Sequence, residues 1–348
     1  MKKIIGLTYN LKSDWVLNPN DPADASAEFD SPATMERIAL ALERGGHTIK
    51  KIGNIDQLLA KINNLGVDIV FNICEGFEGR NRESQVPMLL ELKKIPYVGS
   101  DALTLGVTLD KIAAKKMFVA DGVPTPRFFN ASAHDDLEKL NTIGFPLIVK
   151  ARYEGTSKGL SDDSRVVDME GLKKKVAQIN KIYHQPALVE EFISGTEFTV
   201  AVIGNENPEA MPVAQVSIQG STELGDKFFT YARVLDEDLR YVCPAKISKE
   251  MTQKLQDIAV KAYKSVDCWD FGRVDFRVDS NGNPYVLEIN PLPSLAEKDV
   301  FNIFPYVMGS TYDETINRVL NVALERHGLL GLSKASLTQN AGQKAAAR

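Results

Sequence analysis

Two carboxylates and an amide are predicted to face the same side of a hairpin near residue 280. Residues 272–290 read GRVDFRVDSNGNPYVLEIN, and the Asn-Gly pair favours a two-residue type I′ turn, which needs positive φ at both central positions. With Asn-Gly as the loop, Asp275 lies opposite Glu288 and Arg273 opposite Asn290. Residues two apart on a strand share a face, so all four side chains project together. The other face is expected to enter the core with Val274, Phe276, Val278, Leu287 and Ile289.

A pair of opposed acids needs a positive partner. Two carboxylates directly opposite each other lie roughly 5 Å apart between Cβ atoms, and they repel by about 3 kcal/mol at an effective dielectric of about 20. Carboxylate and amide oxygens, with no His or Cys nearby, suit Mg²⁺, with Mn²⁺ as an alternative. Asp275, Glu288 and Asn290 are therefore predicted metal ligands. The competing interpretation is a solvated charge ladder, neutralised by Arg273 and Arg277.

A second candidate site is the loop of residues 151–162, which is rich in Gly, Ser, Thr and Lys. Glycines let backbone N–H groups approach phosphate oxygens, and the hydroxyls of Thr156 and Ser157 add donors. Lys150 ends the preceding strand and can place an ammonium beside the phosphates. The chain contains neither GxxxxGK[ST] nor GxGxxG, so a Walker-type P-loop and the usual dinucleotide loop are not indicated. On its own, such a loop is more often an ordinary turn.

Three further charged residues could complete a nucleotide site. Lys111, on a predicted helix, is a second candidate cation for phosphates. Glu190 and Glu197 bracket a predicted strand-turn-strand and could accept hydrogen bonds from an adenine amino group and from ribose hydroxyls. Taken singly, the lysine is more often a solvated helix residue, and the two acids could be surface charges on a hairpin.

The elements that position these residues follow an α/β pattern. Strands are predicted at residues 3–8, 47–52, 67–73 and 96–98, alternating with helices near 32–44, 56–64 and 85–93. This alternation is typical of a parallel sheet covered by helices, in which ligands bind at the carboxyl ends of strands. Further helices are predicted at 108–121, 171–182 and 249–266, with a strand at 210–218 before a long polar segment. We expect that polar segment, residues 219–240, to be mobile and to close over a ligand.

Composition bounds the class of protein. The 348 residues are 44% hydrophobic and 25% charged, as in ordinary globular proteins. The net charge of −5 argues against a general nucleic-acid or membrane binder. The three cysteines show no CxxC spacing and fit a reducing cytoplasm. We predict units of residues 1–105, 106–195 and 196–332, followed by a disordered tail at 333–348.

Taken together, these segments resemble the ATP-grasp superfamily, and specifically its D-alanine–D-alanine ligase branch. The resemblance implies a three-domain ATP-grasp fold, with an N-terminal Rossmann-like parallel sheet and ATP held between two other sheets. It also implies ATP and Mg²⁺ as cofactors, small-molecule carboxylate and amine substrates, and a homodimer. The segments that carry it are QVPMLLELKKIPYVGS (85–100), TLDKIAAKKM (108–117), VKARYEGTSKG (149–159), VEEFISGTEFTV (189–200), YVCPA (241–245) and GRVDF…LEINPLPS (272–294).

The resemblance implies a role for each candidate residue. A substrate carboxylate would attack the γ-phosphate of ATP to give an acylphosphate, and an amine would then form the amide. Arg273 would stabilise the transition state, Thr156 would belong to the catalytic set, and Glu28 would hold the first amino group. The nucleotide and metal roles fall to Lys111, Lys150, Ser157 and Arg233 at the phosphates, Glu190 at the adenine, Glu197 at the ribose, and Asp275, Glu288 and Asn290 at two Mg²⁺ ions.

The chain departs from the family on the substrate side. The family's His-Gly…Gly-Glu-Asp-Gly stretch corresponds to NICEGFEGRNRES (72–84), which has no histidine. Arg233 replaces a phosphate-contacting lysine, Val234 a substrate-side tyrosine, and Asp299 a serine that grips the acceptor's carboxylate. An aspartate there would repel a carboxylate, unless Lys298 neutralises it. We therefore expect a basic acceptor, or one without a free carboxylate, and poor use of D-alanine.

Two other functions stay open. One is an ATP-grasp enzyme with a different acceptor, such as a carboxylase or an amide synthase for substrates other than amino acids. The other is a nucleotide-binding regulator without turnover. Retention of the metal ligands, Arg273 and both lysines argues against the regulator, because a site without turnover has no reason to keep such costly charges together.

Overall fold

Three β-sheets form the framework of the molecule. The computed structural model describes residues 1–16, 18–19, 21–235 and 239–330, without the side chains at 234 and 235. The predicted tail at 333–348 therefore lies outside the described residues, as does the side chain of Val234. Among the helices of the described residues, none combines the length and the apolar character that a membrane crossing requires.

The first sheet is parallel, as the alternating pattern predicted. Its strands lie in the order β2–β1–β3–β4, and each neighbouring pair is parallel. Ser31 begins the first covering helix by accepting the Thr34 N–H, with Pro32 in the first turn. The elements of this part are β1 (Ile4–Tyr9), α1 (Pro32–Arg44), β2 (Thr48–Gly53), α2 (Ile55–Lys61), β3 (Ile69–Ile73), α3 (Gln85–Leu92) and β4 (Tyr97–Val98).

The helix predicted at 108–121 is in fact two helices, α4 (Ala102–Leu109) and α5 (Lys111–Ala120). Asp110 separates them: it has a ψ of 89°, and its carboxylate caps α5 by accepting the Ala113 N–H. The same carboxylate holds Arg152 through hydrogen bonds of 2.6 and 2.7 Å. The break places Lys111 in the first turn of α5, where the helix dipole disfavours a cation. A lysine in the first turn of a helix does not stabilise that helix, so Lys111 is expected to have another role.

The second sheet is antiparallel and carries the phosphate-loop candidate. Its strands lie in the order β5–β8–β6–β7. Helix α7 covers one face and begins at Asp168, which accepts the Gly171 N–H. The elements are β5 (Phe128–Ala131), α6 (Leu137–Leu140), β6 (Leu147–Ala151), β7 (Arg165–Val166), α7 (Met169–Tyr183) and β8 (Ala187–Glu191).

The third sheet is antiparallel and carries the hairpin. Its strands lie in the order β12–β11–β9–β13–β14, with β10 paired to β9. The single strand predicted at 210–218 is two strands, β10 and β11. The elements are β9 (Thr196–Ile203), β10 (Glu209–Ala210), β11 (Ala214–Ile218), α8 (Tyr231–Leu235), β12 (Leu239–Val242), α9 (Lys249–Ser265), β13 (Phe271–Val278), β14 (Pro284–Asn290), α10 (Val300–Val307) and α11 (Tyr312–Arg326).

The first and third sheets share a core. Buried residues of β1, β3 and α1 form one apolar cluster with buried residues of β9, α10 and α11. Phe71 and Phe271 contact each other across this junction, with ring centroids 6.4 Å apart. Helix α11, the last helix of the described residues, thus packs on the first sheet. The unit boundaries at residues 105, 195 and 332 stay a prediction.

Candidate active site

The hairpin of β13 and β14 brings the predicted metal ligands together. Asp275 pairs with Glu288 and Arg273 pairs with Asn290, which is the predicted register. Nearer the turn, Phe276 pairs with Val286, so β14 has one extra residue at position 287. Val286 rather than Leu287 enters the core, where it is fully buried. The prediction that Leu287 faces the core is therefore wrong.

The hairpin differs from the prediction at two places, the turn and the bulge, and the two differences cancel to give this register. Within residues 279–283, all of which are described, only Gly282 has positive φ, at +77°. The Gly282 N–H donates to Asp279 O over 3.0 Å, and the Asp279 N–H donates to Asn283 O over 3.1 Å. The loop is thus a three-residue turn, not the predicted two-residue type I′ turn. It shifts the pairing by one residue, and the bulge in β14 shifts the pairing back.

Asp275 is surrounded by donors. It accepts hydrogen bonds from Arg273 Nε (3.0 Å) and Nη2 (2.9 Å), from Thr199 Oγ1 (2.6 Å) and from Asn290 Nδ2 (3.0 Å). Arg273 Nη1 also donates to Asp299 Oδ2 over 3.1 Å. The charge-ladder interpretation is therefore correct for Arg273, which neutralises the Asp275 side of the opposed acids.

Arg277 does not join this ladder. Its Nη2 donates to the carbonyl oxygens of Gly195, Gly225 and Lys227 at 3.1, 3.0 and 2.7 Å. Its Nη1 lies 3.6 Å from Glu197 Oε1. Glu197 is 6% exposed, and burial raises its pKa against the opposing charge of Arg277. Glu197 is thus a buried acceptor at the start of β9 and not a surface acid.

Glu288, unlike Asp275, keeps open acceptor positions. Its nearest cation is Lys111, whose Nζ lies 3.5 Å from Glu288 Oε2 and also donates to the carbonyl oxygen of Glu154. Burial alone would raise the pKa of Glu288, but the charges of Lys111, Lys150 and Arg273 outweigh it and lower that pKa. Glu288 is therefore an ionised carboxylate that faces the ammonium group of Lys111 at the start of α5.

The oxygen set fits Mg²⁺ by its chemistry. Asp275, Glu288 and Asn290 place two carboxylates and an amide on one face of the hairpin, and Mg²⁺ prefers such hard ligands. Within the described ranges, no group of three or more His, Cys, Asp or Glu could hold a metal ion. The candidate set therefore depends on the amide of Asn290 and on ligands from outside the protein.

Glu190 lies at the centre of a buried ion-pair network. Its Oε2 is 2.8 Å from Lys150 Nζ, and its Oε1 contacts Lys115 Nζ. Burial alone would raise the pKa of Glu190, but the two ammonium groups lower it. Lys115 is 1% exposed and also donates to Thr125 Oγ1 over 2.6 Å. The sequence prediction omitted Lys115, although its spacing of four from Lys111 places both lysines on one face of α5.

The phosphate loop has an unusual backbone. Thr156 and Ser157 have φ of 46° and 57°, a left-handed conformation that side chains with a Cβ rarely adopt. Such strain persists only where the surroundings enforce it and is common at functional sites. Thr156 is exposed, and the loop follows directly after Lys150 at the end of β6. The structure thus brings these three predicted residues together.

Acids from the N-terminal part hold the backbone of this loop. Glu28 Oε1 accepts the Gly155 N–H and Arg82 Nη2, both over 2.6 Å, and Lys158 Nζ lies 3.4 Å from Oε2. Burial alone would raise the pKa of Glu28, but Arg82, Lys158 and the Gly155 N–H lower it to about 2. Asp24 accepts the Gly159 N–H over 2.8 Å. Glu28 therefore lies at the predicted site, with its oxygens occupied by the protein's own donors.

Arg233 lies at the far end of the phosphate loop. Its Nη2 is 2.8 Å from Asp162 Oδ1, and its Nη1 donates to Phe228 O over 3.0 Å. The polar segment that contains Arg233 has apolar contacts with the rest of the protein, and its mobility stays a prediction. Leu224 and Phe228 are each 4% exposed, and Phe228 packs against Phe192 with ring centroids 5.8 Å apart. Apolar packing thus holds the first part of the segment near the loop.

Asp299 has a counter-ion that the sequence did not indicate. Arg273 lies between Asp299 and Asp275, whereas Lys298 is exposed. Burial and the neighbouring Asp275 raise the pKa of Asp299, and Arg273 opposes that rise. The expected uncompensated charge at this position is therefore wrong.

Comparison with known proteins places the chain in a family. The family model for the D-ala D-ala ligase C-terminus matches residues 117–321. A D-alanine–D-alanine ligase of Carboxydothermus hydrogenoformans is 33% identical and covers 84% of this chain and 93% of its own length. The D-alanine–D-alanine ligase of Pelotomaculum thermopropionicum is 30% identical, covering 85% and 92%. An uncharacterized protein of Sinorhizobium fredii, y4sG, is 36% identical, covering 76% and 77%.

Solved structures agree at the level of the fold. A D-alanine–D-alanine ligase from Bacillus anthracis matches with a TM-score of 0.72 at 21% identity, over 94% of this chain and 99% of that one. The same enzyme complexed with ATP matches with a TM-score of 0.73 at 20% identity, over 94% and 100%. These matches confirm the predicted ATP-grasp fold with its N-terminal parallel sheet. The chain belongs to the D-alanine–D-alanine ligase family of ATP-grasp proteins, which are ATP-dependent ligases that form carbon–nitrogen bonds.

Proposed function

We propose that this chain is an ATP- and Mg²⁺-dependent ligase that joins a small-molecule carboxylate to an amine through an acylphosphate. The observation that carries the proposal is the opposition of two charge sets. Asp275 and Glu288 lie paired on the hairpin, and Lys111 lies 3.5 Å from Glu288. Phosphoryl transfer requires acidic residues that bind a divalent cation and an ammonium group that contacts the phosphates. This pair of charge sets provides both.

The nucleotide would be held by charged and polar groups from the second and third sheets and from helices α5 and α8. Lys111 and Lys150 would contact phosphate oxygens, with Ser157 in the phosphate loop and Arg233 beside the end of that loop at Asp162. Glu190 would accept from the adenine amino group, and Glu197 from the ribose. Asp275, Glu288 and Asn290 would hold Mg²⁺, which when bound neutralises charge on the phosphates.

The chemistry proceeds in two balanced steps. A carboxylate oxygen of the first substrate bonds to the γ-phosphorus, and the bond from that phosphorus to the bridging oxygen breaks to release ADP. The amine nitrogen then bonds to the acyl carbon, inorganic phosphate leaves, and the nitrogen loses a proton. Arg273 stabilises the negative charge that develops, while Asp275 and Asp299 fix the plane of its guanidinium.

The substrates belong to the amino-acid class. This assignment rests on relatives named D-alanine–D-alanine ligases. Thr156 and Glu28 stay proposed members of the catalytic set. A cytoplasmic location, a homodimer and the division into units at residues 105 and 195 are likewise proposals.

The acylphosphate can be tested by isotope transfer. With a substrate whose carboxylate carries ¹⁸O, the product phosphate should contain one ¹⁸O atom per amide formed, because the attacking oxygen leaves with phosphorus. The assay uses ATP, Mg²⁺ and amino acids of both hands, and follows ADP release in parallel. Phosphate without label during amide formation would contradict the acylphosphate. ADP release with bicarbonate in place of an amino acid would favour the carboxylase alternative.

A further inference from the structure

Three carboxylates near the phosphate loop have no partner of opposite charge at close range. Glu83 is 9% exposed, and Glu75 and Asp30 are partly buried. Among the described residues, no hydrogen bond or ion pair within 4.0 Å reaches the carboxylate of any of the three. Buried charges are normally paired, because leaving them unpaired is costly. The carboxylate oxygens of all three groups remain in contact with solvent, so the cluster is open to a cationic ligand.

The fold brings these acids together at the carboxyl end of β1. Asn10 lies there, and its Oδ1 accepts the Gly76 N–H over 3.0 Å. Its backbone oxygen accepts the Asp30 N–H, also over 3.0 Å. The adjacent residues Phe29 and Phe77 pack edge to face with ring centroids 5.7 Å apart. The segments that contain Asp30 and Glu75 thus meet at one point, at the edge of the parallel sheet where ligands bind.

The cations in this region are already engaged. Arg82 lies 2.6 Å from Glu28 and 3.5 Å from Glu154. Lys158 lies 2.5 Å from Glu154 and 3.4 Å from Glu28. These two cations and two acids balance one another. The remaining acids, Glu75, Glu83 and Asp30, have no cation within 4.0 Å among the described residues. Apart from Arg82, only the more distant charges of Lys12 and Lys111 oppose those of Asp30 and Glu83.

The pKa shifts of Glu75 and Glu83 agree with their being close together. Burial raises the pKa of Glu75 well above its ordinary range, and the charges of Glu83 and Glu28 raise it further. Burial raises the pKa of Glu83 to about 7, although Arg82 and Lys111 oppose the rise. Glu83 follows Arg82 in the chain, and Arg82 donates to the Tyr153 carbonyl oxygen over 2.8 Å, which places this segment beside the phosphate loop. A bound cation would lower both pKa values and remove the penalty.

Buried donors in the same cluster are also unsatisfied. Asn10 is 1% exposed and Arg82 is 4% exposed, yet Asn10 Nδ2 and Arg82 Nε have no hydrogen-bond partner in the described structure. Native proteins rarely leave such donors unpaired. An acceptor is therefore missing beside the unpaired acids. A ligand with both a cationic group and an acceptor group would satisfy the two sets together.

A metal ion is a poorer match for this cluster. No three acids in the described parts of the chain are arranged to hold a metal ion. Glu75 and Glu83 lie on one segment and Asp30 on another. Carboxylates that are close, but do not converge on one point, suit a cation with several separate N–H donors, such as an ammonium or guanidinium group on a flexible chain.

We infer that Glu75, Glu83 and Asp30 bind a substrate whose side chain carries a cationic group, in addition to the α-ammonium and carboxylate of an ordinary amino acid, as in a diamino or guanidino acid. The inference rests on the proposed function, because it names the substrate class of the same reaction. Glu28, whose oxygens are held by Arg82 and the Gly155 N–H, positions the phosphate loop and does not select the cation.

The test compares substrates that differ in one charge. Calorimetric titration of the full chain, loaded with a non-hydrolysable ATP analogue and Mg²⁺, is carried out with lysine against norleucine and with arginine against citrulline, in both hands. We expect at least one cationic member to bind roughly tenfold or more tightly than its neutral partner, the scale of one charge-assisted hydrogen bond. Equal binding within both pairs, or no binding of either, would overturn the inference.

Variants identify the residues. Glu83→Gln and Glu75→Gln should each reduce the preference for the cationic member by several-fold, whereas Glu78→Gln, an exposed change in the same segment, should preserve it. Thermal melting of each variant shows that the change is not unfolding. An unchanged preference in both Glu75→Gln and Glu83→Gln would also overturn the inference.

Binding and turnover separate the two claims. Suppose that the cationic amino acid binds selectively, but no combination of carboxylate and amine causes ADP release. The proposed function would then be contradicted, and the inferred binding site would still be supported. ADP release and amide formation with neutral amino acids, at the same kcat/KM as with their cationic partners, would support the proposed function and overturn the substrate class.

Discussion

Arg273 Nη1 donates to Asp299 Oδ2 over 3.1 Å, so the aspartate at the family's serine position carries its own counter-ion. The sequence alone predicted an uncompensated anion there, with Lys298 as its only neutraliser. Because Arg273 is shared between Asp299 and Asp275, the charge that an incoming carboxylate meets at Asp299 is reduced but not cancelled. The proposed preference for a basic substrate therefore depends on Glu75 and Glu83 more than on Asp299, which has a cationic partner.

Replacing Glu288 with Gln should abolish most Mg²⁺-dependent turnover. The substitution removes an ionised ligand that faces Lys111 and pairs with Asp275, and we expect a loss of roughly 100-fold or more in kcat. Because the pKa of Glu288 is lowered in the fold, the charge is favourable there, so metal-free stability should fall slightly. ADP release and urea unfolding measure the two effects. Exposed Glu297→Gln is the control, and undiminished turnover in E288Q would show a charge ladder without a metal role.

Lys115→Met should weaken the proposed adenine site at Glu190 and leave the proposed metal ligands in place. It leaves Glu190, which is fully buried, with Lys150 as its remaining cation, and breaking a buried pair costs about 3–5 kcal/mol. The variant should also bind an ATP analogue more weakly, because Glu190 is no longer held in position. Lys116→Met changes the neighbouring exposed lysine and should have little effect. If K115M and K116M unfold at the same urea concentration, Lys115 does not hold Glu190.

Glu28→Gln should destabilise the protein at neutral pH and not in strong acid. The folded-state pKa of Glu28 is about 2, below its ordinary value of 4.5. Its ionised form therefore contributes stability above pH 4.5, about 3 kcal/mol from the size of the shift, and this contribution is lost as the pH falls towards 2. Urea unfolding of wild type and variant at pH 7, 5 and 3.5 checks the trend. A difference that is constant with pH would contradict the ion pairs around Glu28.

Glu83→Gln should show the opposite dependence. Burial raises the pKa of Glu83 to about 7, so the folded protein binds its proton more tightly than the unfolded chain does. The ionised form costs stability that is absent below pH 4.5 and complete above pH 7. The variant should therefore melt at a higher temperature than wild type at pH 8, and at the same temperature at pH 4. A lower melting temperature for E83Q at pH 8 would show that Glu83 has a stabilising partner.

Phe228→Ala should release the polar segment beside the phosphate loop. Phe228 is 4% exposed and packs against Phe192, so its removal deletes the main apolar anchor. Limited proteolysis should cut residues 219–240 faster in the variant, and an ATP analogue with Mg²⁺ should slow cutting in wild type. Glu223→Ala, an exposed change in the same segment, should cut like wild type. Equal cutting of wild type with and without nucleotide would argue against closure over ATP.

The local sequence pattern predicted which acids of the hairpin lie opposite each other. Alternation along two strands and a glycine turn determine which side chains share a face, because the side-chain period of a strand is two. Asp275 lies opposite Glu288 as predicted, because the extra residue at Leu287 offsets the shift that the three-residue turn introduces. The alternation of strands and helices likewise determined the parallel first sheet.

Long-range partners were decided by the tertiary structure alone. Glu28 and the Gly155 N–H are 127 positions apart, and Arg273 and Asp299 are 26 apart. A charge in a sequence does not show which group will neutralise it, since that depends on how separate elements pack and on how much water they exclude. The sequence by itself determined the residue types and the faces of the site. Only the packing of three sheets decided which acids are satisfied and which, such as Glu83, are left for a ligand.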